Sequence, residues 1–180
     1  DACVGVIEGD VGIDLIRICN QFPEVKWLNM KECDGFGLPR ALNIAVSKID
    51  TEVILKIDTD DIYPPNRVQS TFSAFKLDKR LDIHGGQVQE FSSDFKINYG
   101  YRSVPVGNFE IEKFSKKRNP FNGPTVSFRK DAFERLGGFP QVEANEDYCL
   151  WGLFIVNNFI ASNSSEVYAF MRGGQDLIER

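Results

Sequence analysis

From Val4 to Phe75 the chain alternates short β-rich apolar runs with stretches whose apolar residues recur every three or four positions, which restricts it to an α/β architecture. Val4-Gly5-Val6-Ile7, closed by Glu8-Gly9-Asp10, predicts a strand ending in a turn. Ile13 to Phe22 places Ile13, Ile16 and Cys19 on one helical face, and Val25 to Met30 predicts a second strand. Leu38, Ala41, Leu42, Ala45, Val46 and Ile49 mark an amphipathic helix. A strand over Glu52 to Ile57 follows, and Pro64-Pro65 opens a helix running to about Phe75. Such alternation implies right-handed crossovers and a mainly parallel sheet.

The second half changes character. Leu81 to Phe91 predicts a strand containing Gly85-Gly86, while Asp94 to Arg118 is expected to be irregular, aromatic, and basic towards its end. Pro124 to Arg129 predicts a strand, Lys130 to Leu136 a short helix stopped by Gly137-Gly138, Glu146 onward a helix, and Val167 to Met171 a last strand. The expected class is α/β, a mixed and mostly parallel sheet flanked by helices. No repeat or linker divides the chain, so residues 1–180 are expected to form one domain.

Composition narrows the function. Acidic residues outnumber basic ones by 26 to 21, for a net charge of −5, which argues against a nucleic-acid partner. Cys3, Cys19, Cys33 and Cys149 show no CxxC spacing, so zinc is not expected, and they are taken as reduced thiols of a cytoplasmic protein. The longest apolar stretch, Leu150 to Ile160, is interrupted by Asn157-Asn158 and is too short to span a bilayer. No secretory leader is expected.

The chemistry concentrates where Val53-Ile54-Leu55-Lys56-Ile57 runs into Asp58-Thr59-Asp60-Asp61. A strand of an open α/β sheet that ends in carboxylates presents them where such sheets bind ligands. Three acids in four residues repel one another unless a cation or many donors face them, and a hard divalent ion shared with a diphosphate fits. A solvated acidic turn before a helix carries about equal weight from these residues alone. An EF-hand loop is excluded, since Tyr63 and Gln69 stand where glycine and glutamate are required. Asp58-Thr59-Asp60 also approaches the nucleophile motif of haloacid-dehalogenase-type phosphatases, although that motif normally opens its fold.

Gly37-Leu38-Pro39-Arg40-Ala41-Leu42-Asn43, then Lys56-Ile57-Asp58-Thr59-Asp60-Asp61, then Pro65-Asn66-Arg67 resembles the donor-binding half of a family 2 glycosyltransferase with the GT-A fold. Asn119 to Val126, Arg135-Leu136-Gly137-Gly138-Phe139 and Glu146-Asp147-Tyr148-Cys149-Leu150-Trp151 continue the resemblance in order, over about residues 5–172. It is nearest to bacterial enzymes of exopolysaccharide, capsule and O-antigen synthesis. The resemblance implies an inverting transferase taking a sugar from a nucleotide-sugar, UDP-linked or similar, to a saccharide or lipid-linked acceptor. Asp60, with Asp58, would hold Mn²⁺ or Mg²⁺; Asp58, Asp61, Asn43 and Glu8 would face the donor. Glu8 stands where the family has aspartate. Asp147 would be the general base, with Glu146 beside it, at a helix start that favours an ionised carboxylate.

Other residues carry weaker expectations. Gly86 either lets the sugar approach the strand or marks a bulge. His84 is taken as structural and Trp151 as core. Gly123 stands where the family often has histidine. The run Lys113, Lys116, Lys117 and Arg118 is either a solvated loop or a phosphate-facing one, with Arg118 assigned to the donor. The full enzyme is expected in the cytoplasm, peripherally at the inner face of the membrane. The family's first strand and its helix have no counterpart before Val4, so the chain reads as a fragment that is weakly active and self-associates, for instance as a homodimer. A phosphate-ester hydrolase with Asp58 as nucleophile, and a non-catalytic nucleotide-sugar-binding module, are the alternatives.

Overall fold

The computed structural model describes residues 3–8, 12–30 and 37–173. Strand β1 (Cys3–Glu8) and strand β2 (Val25–Met30) pair in parallel around helix α1 (Ile13–Cys19). Helix α2 (Leu38–Ser47) carries Pro39 in its first turn, where a missing N–H costs no hydrogen bond, and it packs on β1. Strand β3 (Val53–Leu55) leads into the carboxylate turn, and helix α3 (Arg67–Leu77) follows. Pro64 and Pro65 precede that helix rather than open it, the Pro64 carbonyl accepting the Arg67 N–H at 2.9 Å.

Strand β4 (Leu81–Phe91) is the spine of the second half. It pairs antiparallel with β5 (Asn98–Arg102) and β6 (Ser127–Arg129), and parallel with the long β7 (Ile160–Arg172). With β3 antiparallel to β6, these strands form a five-stranded sheet separate from β1–β2. The mixed α/β class stands, but the mostly parallel expectation holds only for β1–β2 and β4–β7. The second half adds the β4–β5 hairpin and a reversed β6 before helices carry the chain back to β7 beside β4.

Two further differences share a cause. The stretch expected to be irregular contains β5 and helix α4 (Asn108–Ser115), and part of the strand expected from Pro124 is a 3₁₀ turn, Gly123–Thr125. Both depend on partners distant in sequence, which no local period reports. Helix α5 (Lys130–Arg135) stops as expected at Gly137 and Gly138, whose φ angles are +82° and +79°.

Helix α6 (Glu146–Val156) and the aromatic side chains it meets make the core. Phe128 stacks on Phe133 at 4.9 Å between ring centroids, and Phe139, Trp151 and Phe154 pack around the pair at edge or tilted angles. Trp151 is fully buried, the core position expected of it. Cys3, Cys19 and Cys149 are free thiols; Cys33 lies outside the described residues. Among the described residues no helix is long and apolar enough to cross a membrane.

Candidate active site

A cleft of about 850 Å³ opens between the end of β3, the strand β5 and the first turn of α6. Lys56, Asp58, Tyr101, Arg102, Arg118, Asn122, Gly123, Asn145, Glu146 and Asp147 line it. It brings together residues nearly ninety positions apart, Asp58 just after β3 and Glu146 and Asp147 at the start of α6.

The carboxylate turn is held from three sides. The Asp58 backbone N–H donates to the Tyr63 hydroxyl at 2.8 Å, and that hydroxyl lies 3.3 Å from the Asp58 carbonyl. Ile62 and Phe170 exchange backbone hydrogen bonds of 3.1 and 2.8 Å, fastening the turn to β7. The Arg172 N–H donates to Asp61 Oδ1 at 3.2 Å. Half-buried behind the turn, Asp61 has its pKa pushed up to about 6, first by desolvation and then by the neighbouring Asp60 and Asp58 charges. The Asp58 carboxylate is ion-paired with Lys56. Asp60 is exposed at the tip of the turn, and neither it nor Asp61 is among the residues lining the cleft.

Across the cleft, Asn145 adopts a left-handed conformation (φ 60°) that turns the chain into α6. Asp147 Oδ1 accepts the Tyr148 N–H at 2.6 Å. The other oxygen, Oδ2, faces Gly123: a β-carbon there would stand 3.0 Å from it, so glycine gives this carboxylate its room. The Tyr148 hydroxyl donates to the Ser115 carbonyl at 2.7 Å, tying α6 to the end of α4 and to the basic segment from which Arg118 enters the cleft.

The cleft floor is pinned by a buried polar network. Thr125 Oγ1 accepts the Gly86 N–H at 3.0 Å, and Asn122 Nδ2 donates to the Gly86 carbonyl at 2.9 Å. Arg67, only 2% exposed, donates to the Thr125 carbonyl and to the Thr71 and Ser127 hydroxyls, with its guanidinium 4.3 Å from the centre of the Tyr168 ring. Burial holds its pKa down to about 10. His84 is enclosed beside it, its ring nitrogens 2.7 Å from the Ser162 hydroxyl and 3.1 Å from that of Tyr168, and desolvation followed by the Arg67 charge lowers its pKa to about 4. The ring is therefore neutral, in keeping with a structural role.

Several expected site residues lie elsewhere. Gly86 is buried outside the cleft lining; its missing side chain makes room for Tyr168, whose ring would meet a β-carbon at 2.5 Å. The pairing register with β7 shifts at this point, which fits the bulge reading. Asn43 spends its amide on Phe139, donating to its carbonyl at 2.9 Å and accepting its N–H at 2.8 Å, which clamps α2 to the end of α5. Glu8 closes β1, and its side chain lies outside the described residues. Lys56, Tyr63, Tyr101, Arg102 and Asn122 were not foreseen at the site. Only Lys56 carried a local signal, a charge inside an otherwise apolar strand run.

Among the described residues no group of three or more His, Cys, Asp and Glu side chains converges as a metal cage. The hard carboxylate oxygens of Asp58 and Asp60 still suit Mn²⁺ or Mg²⁺ in a site completed by substrate phosphate oxygens and water. The donor set fits the implied metal on those terms.

A mixed α/β sheet with a carboxylate turn after β3 and an acidic start to α6 is the arrangement of the GT-A fold. The sequence model described as glycosyl transferase family 2 matches residues 17–137, and the chain belongs to that family. It is 32% identical over its whole length to an uncharacterized glycosyltransferase of Haemophilus influenzae, covering 67% of that protein. It is 28% identical to the UDP-Gal:alpha-D-GlcNAc-diphosphoundecaprenol beta-1,3-galactosyltransferase of Escherichia coli, covering 66% of it. The mannosyltransferase PcManGT of Pyrobaculum calidifontis, solved in complex with GDP-Man and Mn²⁺, shares the fold with a TM-score of 0.61 at 17% identity, over 92% of this chain and 46% of that one. The chain thus spans about two thirds of the length of these curated relatives. Family membership removes the ground for the phosphate-ester hydrolase reading.

Proposed function

We propose that this chain is the donor-binding and catalytic part of an inverting, metal-dependent glycosyltransferase that moves a sugar from a nucleotide-sugar to a saccharide or lipid-linked acceptor. The observation that carries the reading is that Asp58 and Asp147 line the same cleft. The Escherichia coli relative, a UDP-Gal:alpha-D-GlcNAc-diphosphoundecaprenol galactosyltransferase, and the mannosyltransferase fold neighbour in complex with GDP-Man and Mn²⁺ support this substrate class and cofactor.

In this reading Asp147 Oδ2 takes the proton of the acceptor hydroxyl as that oxygen attacks the anomeric carbon. The bond from that carbon to the diphosphate breaks on the opposite face, which inverts the configuration. Tyr148 holds Oδ1 and so aims the carboxylate, and Gly123 leaves the acceptor side open. Asp60 and Asp58 would hold a divalent metal, which would neutralise charge on the leaving nucleoside diphosphate. Arg118, whose side chain forms no ion pair among the described residues, faces the same phosphates.

Asp147→Asn tests the assignment in a form of the protein that turns over. Donor affinity should stay, and the rate should fall on the order of 100-fold or more. Retained activity would remove Asp147 from the role. Asp60→Ala should abolish the Mn²⁺-dependent part of nucleoside-diphosphate binding with the fold intact; equal binding by both proteins would remove Asp60 as ligand.

A further inference from the structure

Lys56 follows β3 directly, and its backbone N–H donates to the Val126 carbonyl at 3.0 Å, so the base of its side chain is fixed next to the cleft floor. The side chain is only 9% exposed, while its partner Asp58 is 34% exposed. Burying an ammonium is costly unless a carboxylate faces it, and Asp58 supplies one. Both members of the pair line the cleft, unlike an ion pair that serves only to close a strand end.

Two electrostatic consequences follow. The charge of Asp58 is cancelled by a neighbour in contact, which weakens its pull on a divalent ion and leaves the exposed Asp60 as the stronger attractor. A diphosphate entering the cleft also meets a buried cation that no metal has to provide. The remaining cations of the lining are Arg102, already paired with Glu90, and Arg118.

We propose that Lys56 is a diphosphate-binding residue, its ammonium shared between Asp58 and the phosphates of a nucleoside diphosphate, so that the cleft has a metal-independent component of donor binding. This rests on the nucleotide-sugar reading above and deepens it.

Calorimetric titration of UDP and GDP into the 180-residue chain, first with EDTA and then with MnCl₂, tests it on the wild type, Lys56→Met, Lys56→Gln and Lys56→Arg. The wild type should bind at least one of the two nucleotides in EDTA. Lys56→Met should weaken that binding by about tenfold or more, the loss of one charge-assisted hydrogen bond, and Lys56→Arg should retain most of it. Mn²⁺ alone, followed by electron paramagnetic resonance, should bind Lys56→Met more tightly than the wild type, because Asp58 is released; the EDTA titrations separate a diphosphate-binding lysine from one that only pairs with Asp58. If Lys56→Met melts below the assay temperature, Lys56→Gln, whose amide still donates to Asp58, takes its place with the same expectations. Equal affinities in EDTA for wild type and charge-deleted variants, or wild-type binding that appears only with Mn²⁺, would overturn the proposal and leave the donor reading standing. No binding of either nucleotide under any condition would overturn both.

Discussion

The unit from Cys3 to Met30 and the body from Val53 to Arg172 are both built of strands and helices, yet they are held by different forces. In the first, Ile7, Cys19 and Met30 are the buried apolar residues, while Ile13, Leu15, Ile16 and Ile18 of α1 stand exposed. Within it Trp27 Nε1 donates to the Cys19 carbonyl at 3.0 Å. The body combines a continuous aromatic core with buried polar side chains, among them Arg67, His84, Gln87, Asn122, Thr125 and Asn163, most of them bonded across strands. Apolar contact alone tolerates sliding; buried polar groups must meet particular partners, so they fix one arrangement. Asn122 links this network to the cleft that it lines, donating to the Gly86 and Arg102 carbonyls at 2.9 and 3.1 Å.

The largest effect expected from this contrast is on stability. Phe128→Ala empties the centre of the aromatic cluster and should cost about 4 kcal/mol, whereas Ile7→Ala in the first unit should cost about 2 kcal/mol, at the low end for such truncations. Urea unfolding of both variants checks the difference. Equal losses would break the comparison, since the first unit would then be packed as tightly as the body.

A second way to sharpen it is acid. His84 is neutral in the fold with a pKa of about 4, against the ordinary value of 6.5. Its folded value is the lower one, so the unfolded chain binds more protons between these values. Stability is fully present above pH 6.5 and is lost as pH falls towards 4, by about 3 kcal/mol. His84→Gln should flatten that part of the stability-versus-pH curve. An unchanged slope would mean that the ring is not enclosed as described.

How much of this was legible beforehand follows the same division. Strands Val25–Met30 and Leu81–Phe91 have the bounds that their apolar runs predict, and the start of α6 at Glu146 agrees too. Of the acidic turn, Asp58 lines the same cleft as Asp147, while Asp60 and Asp61 do not. What stayed hidden is whatever depends on distant partners. Nothing near Gly86 tells that Tyr168 fills its side-chain space, and nothing near Asn43 tells that its amide clamps Phe139. The reversed direction of β6 has no local signature either, because a strand's own residues do not encode which neighbour it pairs with. Lys56 was visible as a charge in an apolar run, but its pairing with Asp58 was not.

A smaller effect separates the demands of the site from those of the fold. Asp61 has its pKa raised to about 6 by burial, so the folded state prefers its protonated form. That preference stabilises the fold at low pH and is lost as pH rises through 6. Asp61→Asn should therefore gain about 1 kcal/mol at pH 8, a value discounted for partial exposure, and nothing at pH 4. Melting curves at the two pH values measure it. A gain of the same size at both would show that the charge is not the cause.

The smallest expected effect concerns the rim of the cleft. Arg102 of β5 pairs with Glu90 of β4 across the hairpin, but the arginine side chain is 52% exposed and the pair is open to water and salt. Water screens such a pair, and ordering two long side chains offsets most of what attraction remains. Arg102→Met should therefore change stability by less than about 0.5 kcal/mol. Arg129 offers the internal contrast: also paired with a carboxylate, Glu52, it is itself buried and donates to the Leu81 and Lys79 carbonyls at 2.7 and 3.1 Å. Arg129→Met would leave the buried Leu81 carbonyl without that donor, where water does not replace it. Urea unfolding of the two variants side by side should thus show a clear loss for Arg129 and almost none for Arg102. Comparable losses would mean that the rim, and not only the buried network beneath it, holds the cleft in shape.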